Sequence, residues 1–124
     1  MLINLSNHPS SKWDNTQISA ARQQFGDIED ISFPNIPPDW DTAQVEMLAC
    51  EYFEMLKSID KKTGEKPVIH IAGESIFCFL LIQKLLRDNF ICIVSTTERI
   101  VTEENNVKTT VFMFKKFRNF KLLQ

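Results

Sequence analysis

The segment SNHPSSKW, which follows the first apolar run of the chain, is rich in side chains that could bind a ligand. A connection between a strand and a helix needs only a turn former and a cap, in about two to six residues. Here the imidazole of His8 could transfer a proton or donate a hydrogen bond, and Lys12 could neutralise a phosphate. Trp13 could stack on a base, although we favour its packing in the core. The segment is a candidate binding loop, and a loose surface loop is the alternative.

Two further polar segments could contact an anion. In AGES, Gly73 permits a close backbone approach, so that amides at the start of a helix would face a phosphate. The alternative is a tight turn in which Ser75 caps the helix. In STTER, three hydroxyls accompany the guanidinium of Arg99, a group that suits phosphate or carboxylate unless it pairs with a neighbouring glutamate. Glu74 and Glu98 could orient a base edge or a hydroxyl, or they could simply be solvated.

The elements that must position these segments follow from apolar periodicity and from turn residues. Capping signatures at Asp14 and Asp41 predict two helices, and a third follows GES. The order is βαβαβαβ followed by a hairpin, with strands at 2–5, 28–33, 68–72 and 90–95 and hairpin strands at 100–103 and 108–114. This order predicts a single domain over residues 1–124. Its fold class is α/β, a Rossmann-like, three-layer, doubly wound and mainly parallel sheet with a C-terminal antiparallel β-hairpin.

The predicted topology decides where a ligand would bind. In open α/β sheets, ligands lie outside the carboxyl ends of the strands, near the point where the strand order reverses. If the order is 2-1-3-4, SNHPSSKW and AGES flank that point and STTER lies next to them. The three polar segments are therefore expected to meet at one edge of the sheet.

Composition and charge limit the class of protein. The chain has 124 residues, of which 44% are hydrophobic, and a net charge of −2, which does not favour binding to long nucleic acid. Neither a signal-peptide pattern nor an apolar run of membrane-spanning length occurs, so we expect a cytoplasmic protein that does not contact membranes. The segment FKKFRNFK, which mixes basic residues with phenylalanines, is interpreted as an edge strand with its charges outward and its phenylalanines inward.

Metal and cofactor sites are not indicated by the sequence. The three cysteines, Cys50, Cys78 and Cys92, lie in apolar runs and are expected to be reduced and buried. His8 and His70 are far apart in the chain, and His70 is expected to be a buried, hydrogen-bonded histidine in the middle of a strand. No GxGxxG, Walker lysine or GxSxG motif occurs, so the common nucleotide-fold enzymes are not supported. We therefore expect no metal and no cofactor.

Three stretches, LSNHPSSKW, HIAGES and CIVSTTER, resemble the small stand-alone CARF (CRISPR-associated Rossmann fold) proteins of type III CRISPR systems. The resemblance implies a homodimer that binds a cyclic oligoadenylate second messenger, with cyclic tetra-adenylate as the expected ligand. Some members of that group are ring nucleases, in which a ribose 2′-hydroxyl attacks the adjacent phosphate without a metal and leaves a 2′,3′-cyclic phosphate. The resemblance does not require catalysis.

The same resemblance implies roles for residues of the three polar segments. The residues implied near the reacting phosphate are His8, Ser10, Ser11 and Lys12. Those implied to bind the ligand are Asn7, Gly73, Glu74, Ser75, Ser95, Thr96, Thr97 and Arg99. Other interpretations are a non-catalytic sensor or sponge for the same ligand, and a Rossmann-like enzyme that acts on a mononucleotide or sugar phosphate. A further one is an interaction module that uses the aromatic hairpin as its partner surface.

Overall fold

The computed structural model describes residues 1–123, which fold into an α/β structure with five strands and three α-helices. A short 3₁₀ turn at Ser10–Lys12 follows the first strand. The α/β class predicted from the sequence is therefore confirmed. In chain order, the elements are β1 (Leu2–Ser6), α1 (Asn15–Phe25), β2 (Ile28–Asp30), α2 (Thr42–Thr63), β3 (Val68–Ala72), α3 (Ser75–Arg87), β4 (Cys92–Glu104) and β5 (Val107–Asn119).

The five strands form one mixed sheet in the order β2-β1-β3-β4-β5. The first four strands in this order are parallel, and β5 is antiparallel to β4. The parallel strands thus have the order 2-1-3-4, which was the condition for the three polar segments to meet. The chain leaves β1 to form β2 on one side and returns to form β3 on the other, so the order reverses between β1 and β3. In parallel sheets, the carboxyl ends of two such strands leave room for a ligand.

Apolar side chains pack on both faces of the sheet, because successive residues of a strand point to opposite faces. One face is covered by α2 and α3, and its buried side chains include Ile3, Leu5, Ile69, Ile71, Phe77 and Leu81. The other face is covered by α1, and its buried side chains, two of which come from β5, are Leu2, Ala21, Ile93, Phe114 and Phe117. Polar residues on this second face, which has the smaller cluster, form the site described below.

The second strand is shorter than predicted. It ends at Asp30 instead of continuing to residue 33. The ring of Phe33 packs edge-on against Phe77 with the two centroids 5.3 Å apart, and this apolar contact turns the chain toward α3. The proline-rich segment that follows then leads to α2, where Asp41 and Gln44 form the predicted capping box.

The fourth strand is longer than predicted, and the predicted stop at Ser95 is wrong. β4 continues to Glu104 and pairs with β5 along most of its length, so STTER lies within a strand and not in a loop. β-branched residues such as Thr96, Thr97 and Val101 suit an extended backbone. Because the antiparallel partner supplies hydrogen bonds where the parallel sheet ends, the strand does not need to turn. The predicted strand and hairpin therefore form one long hairpin.

The outer part of this hairpin projects beyond the sheet, and we call residues 98–104 and 107–113 the arm. Its turn is formed by Asn105 and Asn106, whose φ angles of 53° and 65° match a two-residue hairpin turn. The arm exposes several large apolar side chains: Val101, Val107, Val111, Phe112 and Met113. The arm therefore contributes little to the core of its own chain.

The base of the hairpin packs as the sequence predicts. The register shifts opposite Thr96 because β5 contains one extra residue, Lys115. This bulge places Phe114 and Phe117 on the same face, where both rings are buried and lie 4.9 Å apart. The basic side chains of this segment are exposed, which confirms the prediction of outward charges and inward phenylalanines.

The cysteines and the helices bear on two other expectations. Cys78 and Cys92 are buried, whereas Cys50 is only half-buried, so the prediction of three buried thiols holds for two of them. Burial raises the pKa of the Cys78 thiol to about 11 and that of Cys92 to about 12, so both are protonated at neutral pH.

Within residues 1–123, each helix is too short or too polar to cross a lipid bilayer.

Candidate functional site

A cleft of about 290 Å³ lies on the α1 face of the sheet, between the loop that follows β1 and the middle of β4. We call it the β1–β4 cleft. The loop side is formed by His8, Lys12 and Trp13, and the sheet side includes His70 and Ser95. The cleft is therefore close to the point where the strand order reverses, the expected place for a ligand in such a sheet.

Four of the residues predicted from the sequence line this cleft together. His8 and Lys12 come from the loop after β1, and Ser95 and Thr97 come from β4. Ser95 and Thr97 are two residues apart on one strand, so they point to the same face. Arg99 continues this spacing onto the exposed arm, and its guanidinium makes no hydrogen bond or ion pair within residues 1–123. Two of the three predicted polar segments, SNHPSSKW and STTER, thus supply predicted residues to this cleft.

Of the AGES segment, Ala72 lines the β1–β4 cleft, whereas the residues predicted to bind a ligand do not. Gly73 and Ser75 line a separate and mainly apolar cavity of about 670 Å³ beside α3. The start of α3, where a phosphate was expected, is occupied by the carboxylate of Glu74. This carboxylate accepts hydrogen bonds from the amides of Ile76, at 2.9 Å, and Phe77, at 3.2 Å. Glu74, and not Ser75, is therefore the cap of this helix.

Packing alone accounts for the glycine at position 73. A Cβ atom there would lie 2.3 Å from Cζ of Phe33 and 2.5 Å from its Cε1, well inside contact distance. The close approach that the sequence assigned to a phosphate is thus made by an aromatic ring of the same chain. A side chain at position 73 would push this ring away from the core.

The other predicted residues of the first loop and of β4 lie around the cleft and not in it. The backbone amide and the hydroxyl of Ser10 donate hydrogen bonds to Asp30, at 2.9 and 2.6 Å. Asn7 and Ser11 have exposed side chains, and the backbone amide of Asn7 ties the loop to Ala72. The predicted residue of β4 outside the cleft is Thr96, whose hydroxyl donates to the carbonyl of Lys116 at 3.1 Å.

A buried polar network supports the floor of the cleft, and most of it was missed by the sequence reasoning. Asn4 and His70 are direct partners in the register of β1 and β3 and are 1% and 2% exposed. The imidazole Nδ1 of His70 lies 2.9 Å from Oδ1 of Asn4, and its Nε2 lies 2.9 Å from Oγ of Ser95. The amide Nδ2 of Asn4 donates to Oδ1 of Asp30 at 2.8 Å. The prediction of a buried, hydrogen-bonded His70 is confirmed.

The same network fixes the loop that follows β1. The side-chain amide of Asn4 donates to the carbonyl of His8 at 2.9 Å, and the indole nitrogen of Trp13 donates to the same oxygen at 3.2 Å. Trp13 also packs edge-on against His70, with ring centroids 5.0 Å apart. Trp13 is thus a wall of the cleft and also packs against the smaller core cluster.

Gln17 connects the first helix to this network. The carboxylate of Asp14 accepts a hydrogen bond from the amide of Gln17 at 2.8 Å, as expected for a helix cap. The sequence predicted that the side chain of Gln17 would also bond to the backbone of Asp14 and close a capping box. This second hydrogen bond does not form. The side chain is buried and donates to the hydroxyl of Ser95 at 3.4 Å. The side chain of Gln17 thus bonds to a residue that is distant in the chain, Ser95, and not to the nearby cap residue.

The protonation of these groups follows from burial and hydrogen bonding. Burial lowers the pKa of His70 to about 4, so its imidazole is neutral at physiological pH. Burial tends to raise the pKa of Asp30, but hydrogen bonds from the hydroxyl and amide of Ser10 and from Asn4 outweigh this effect, so the pKa is lowered.

Among residues 1–123, no three His, Cys, Asp or Glu side chains come together in a way that could hold a metal ion.

A signal for this network is present in the sequence. The β1 strand, LINLS, has an asparagine between apolar residues, and the β3 strand, VIHIA, has a histidine in its centre. A buried polar side chain needs a hydrogen-bond partner. Two such residues on neighbouring strands could have been paired once the register was known. The sequence alone does not give the register, so the pairing was not predicted.

Comparison with known proteins gives a family but no activity. Residues 1–118 match the family described as "Uncharacterized protein MJ1673 family", and this range covers nearly the whole chain. The chain therefore belongs to that family. Neither the curated proteins nor the solved structures include a significant match to it.

Proposed function

We propose that this member of the MJ1673 family is a CARF-type protein with a Rossmann-like, doubly wound sheet. It would bind cyclic oligoadenylate, with cyclic tetra-adenylate as the preferred ring, and cleave it without a metal. One observation carries the proposal: His8 and Lys12 from the loop after β1 meet Ser95 and Thr97 of β4 in one cleft at the switch point of the sheet. The sequence resemblance of these same two segments to CARF proteins supports it.

The side chains of the cleft suit a phosphodiester next to a ribose. The ammonium of Lys12 would neutralise the phosphate, and the hydroxyl of Thr97 would donate a hydrogen bond to it. Phe112 lines the cleft and is 64% exposed, so it offers a flat aromatic surface on which an adenine can stack. His8 would donate a proton to the departing oxygen. The sheet and its buried network would hold these groups in place.

The reaction would be an internal transfer of a phosphodiester. The 2′-oxygen of one ribose attacks the adjacent phosphorus, a new 2′-oxygen–phosphorus bond forms, and the bond from phosphorus to the 5′-oxygen breaks. The product is a linear adenylate with a 2′,3′-cyclic phosphate at one end and a 5′-hydroxyl at the other. The protein would accelerate this step by bending the ring for in-line attack and by stabilising charge on the phosphate.

A homodimer is part of this proposal, because one cleft of about 290 Å³ is at the small end of the range for a single small ligand. The exposed apolar side chains of the arm favour a second copy of the chain as the partner. A two-stranded hairpin is at best marginally stable by itself in water, yet this arm exposes Val111 and Met113 without covering them. Burial of these side chains against a second copy would stabilise the arm and bring two clefts together.

Light scattering at about 10 µM tests the dimer, using the wild-type protein and the Val111→Lys variant. We expect a dimeric mass for the wild type and a monomeric mass for the variant, because a lysine ammonium in an apolar interface would be desolvated. The matched control is Ile91→Lys, which changes an exposed apolar residue between α3 and β4, outside the arm. A monomeric wild type, or equal masses for all three proteins, would contradict the arm as the dimer surface.

The catalytic proposal is tested by incubating the protein with cyclic tetra- and hexa-adenylate in excess EDTA and separating the products. We expect linear adenylates that end in a 2′,3′-cyclic phosphate. Lys12→Ala should weaken ring binding by the ~1.5–3 kcal/mol of a charged hydrogen bond, measured by calorimetric titration. The matched control is Lys62→Ala, at the end of α2.

Each other outcome points to a different function. A ring that binds but stays intact would leave a sensor or sponge. Protection from heat by mononucleotides or sugar phosphates, with no effect of the cyclic ligands, would favour an enzyme for those smaller substrates. Failure of both kinds of ligand to bind would contradict the proposal for this cleft.

A further inference from the structure

Four side chains form one hydrogen-bonded chain from the surface of β2 to the β1–β4 cleft. Oδ1 of Asp30 accepts from Nδ2 of Asn4 at 2.8 Å. Oδ1 of Asn4 lies 2.9 Å from Nδ1 of His70, and Nε2 of His70 lies 2.9 Å from Oγ of Ser95. We call these residues the Asp30–Ser95 chain. Its last member, Ser95, lines the cleft in which the phosphate would bind.

The direction of every hydrogen bond in this chain is determined by its donors and acceptors. The side-chain nitrogen of Asn4 lies between two acceptors, the carbonyl of His8 and the carboxylate of Asp30, so the amide can have only one orientation. Its oxygen therefore faces His70, and Nδ1 of the imidazole must carry the proton. Nε2 of the neutral imidazole is then an acceptor, and the hydroxyl of Ser95 donates to it.

The surroundings of His70 and Ser95 favour this arrangement. Trp13 and Phe117 pack edge-on against the imidazole, with centroids 5.0 and 5.8 Å away, and exclude water from it. Gln17 donates to the hydroxyl of Ser95 at 3.4 Å, so the serine proton points to His70 and a lone pair remains for the cleft. The titratable groups that share the cleft with His70 are His8, Lys12 and Asp14, and Asp30 faces it through Asn4.

We propose that Ser95 is a catalytic residue that accepts the proton of the attacking ribose hydroxyl and passes its own proton to His70, a role that rests on the proposed ring cleavage. An orienting group, an imidazole and a hydroxyl in hydrogen-bond contact are the arrangement that activates a hydroxyl in many hydrolytic enzymes. Here Asn4 and Asp30 are positioning residues, because they hold His70 in the tautomer that can accept a proton. His70 itself acts through Ser95 and is also a positioning residue.

The protons and bonds balance in this step. The 2′-hydroxyl gives its proton to Oγ of Ser95 while Ser95 gives its proton to Nε2 of His70. The 2′-oxygen bonds to phosphorus, and the 5′-oxygen leaves with its electron pair and takes a proton from the imidazolium of His8. His70 then returns its proton to bulk solvent through Ser95, and His8 regains one. The net reaction moves one proton from the 2′-oxygen to the 5′-oxygen and needs no further reactant.

The test compares steady-state cleavage of cyclic tetra-adenylate, in EDTA, by the wild type and by Ser95→Ala, Ser95→Thr and Ser58→Ala. General-base catalysis is worth roughly 100-fold or more, so Ser95→Ala should lower kcat by about that factor and change KM by less than about threefold. Ser95→Thr retains a hydroxyl and should recover most of kcat. Ser58→Ala is the matched control, because it removes an exposed hydroxyl from α2, away from the cleft.

A second measurement does not depend on turnover. Nitrogen-15 NMR of the His70 imidazole should show the proton on Nδ1 at pH 7, and substitution Asn4→Leu should disturb this tautomer. A proton on Nε2 would overturn the proposal whatever the activity, because His70 could not then accept from Ser95.

The remaining outcomes separate this inference from the proposed function. If the wild type cleaves the ring and Ser95→Ala keeps its kcat, the role of Ser95 is overturned and the ring nuclease remains. If the wild type binds the ring without cleaving it, the catalytic role is overturned and a sensor remains. If no ring binds, both fail.

Discussion

Replacement of Asn4 by leucine is expected to lower the free energy of unfolding by about 3–5 kcal/mol, measured by urea denaturation at pH 7. Leucine branches at Cγ as asparagine does and is the larger side chain, so none of this loss would come from a cavity. Leucine would leave the imidazole N–H of His70 without an acceptor. It would also remove one of the hydrogen-bond partners of the His8 carbonyl and of the Ser6 hydroxyl, each of which keeps another. Each buried polar group that loses its partner costs about 1–3 kcal/mol.

The matched control for this prediction is Asn7→Leu, three residues further along the same segment. The side chain of Asn7 is exposed and makes no hydrogen bond within residues 1–123. This variant should therefore change stability by no more than about 0.5 kcal/mol. A loss for Asn4→Leu no larger than that for Asn7→Leu would show that the network does not stabilise the fold.

Acid is expected to destabilise the protein by about 3 kcal/mol between pH 7 and pH 4 through His70 alone. Burial lowers the pKa of this imidazole from 6.5 to about 4, so the unfolded chain binds a proton in this range and the folded chain does not. Stability is therefore fully present above pH 6.5 and is lost as the pH falls toward 4. Urea denaturation at several pH values in this range measures the effect.

Variants of the two histidines separate His70 from other titrating groups. His70→Gln removes the titrating imidazole, so its stability should vary much less between pH 7 and pH 4, although it is lower at pH 7. His8→Gln changes the exposed histidine and should retain the acid dependence of the wild type. The lowered pKa of Asp30 contributes a further loss only below about pH 3.8. Equal slopes for the wild type and His70→Gln would contradict this assignment.

Local features of the sequence determined the elements and their order. The capping residues Asp14 and Asp41 started helices where the sequence predicted them, and the apolar runs at 2–5 and 68–72 became neighbouring parallel strands. These features depend on residues within a few positions of one another, so one sequence is enough to read them. The loop after β1 was predicted as part of a binding site by the same reasoning, because its position follows from the strand order.

Only the tertiary structure decided which polar residues meet. Nothing near Ser95 in the sequence indicates that β5 would extend β4 through STTER, since the pairing partner lies about twenty residues away. Likewise, the sequence left a phosphate contact and a tight turn open for Gly73, because Phe33, the ring that fills that space, is distant in the chain. The register that places Asn4 opposite His70 comes from the packing of two sheet faces, and a shift of either strand by one residue would move its side chain to the other face. The sequence thus determined the order of the strands and helices along the chain and the position of the loop after β1. Long-range packing decided which residues form the floor of the cleft.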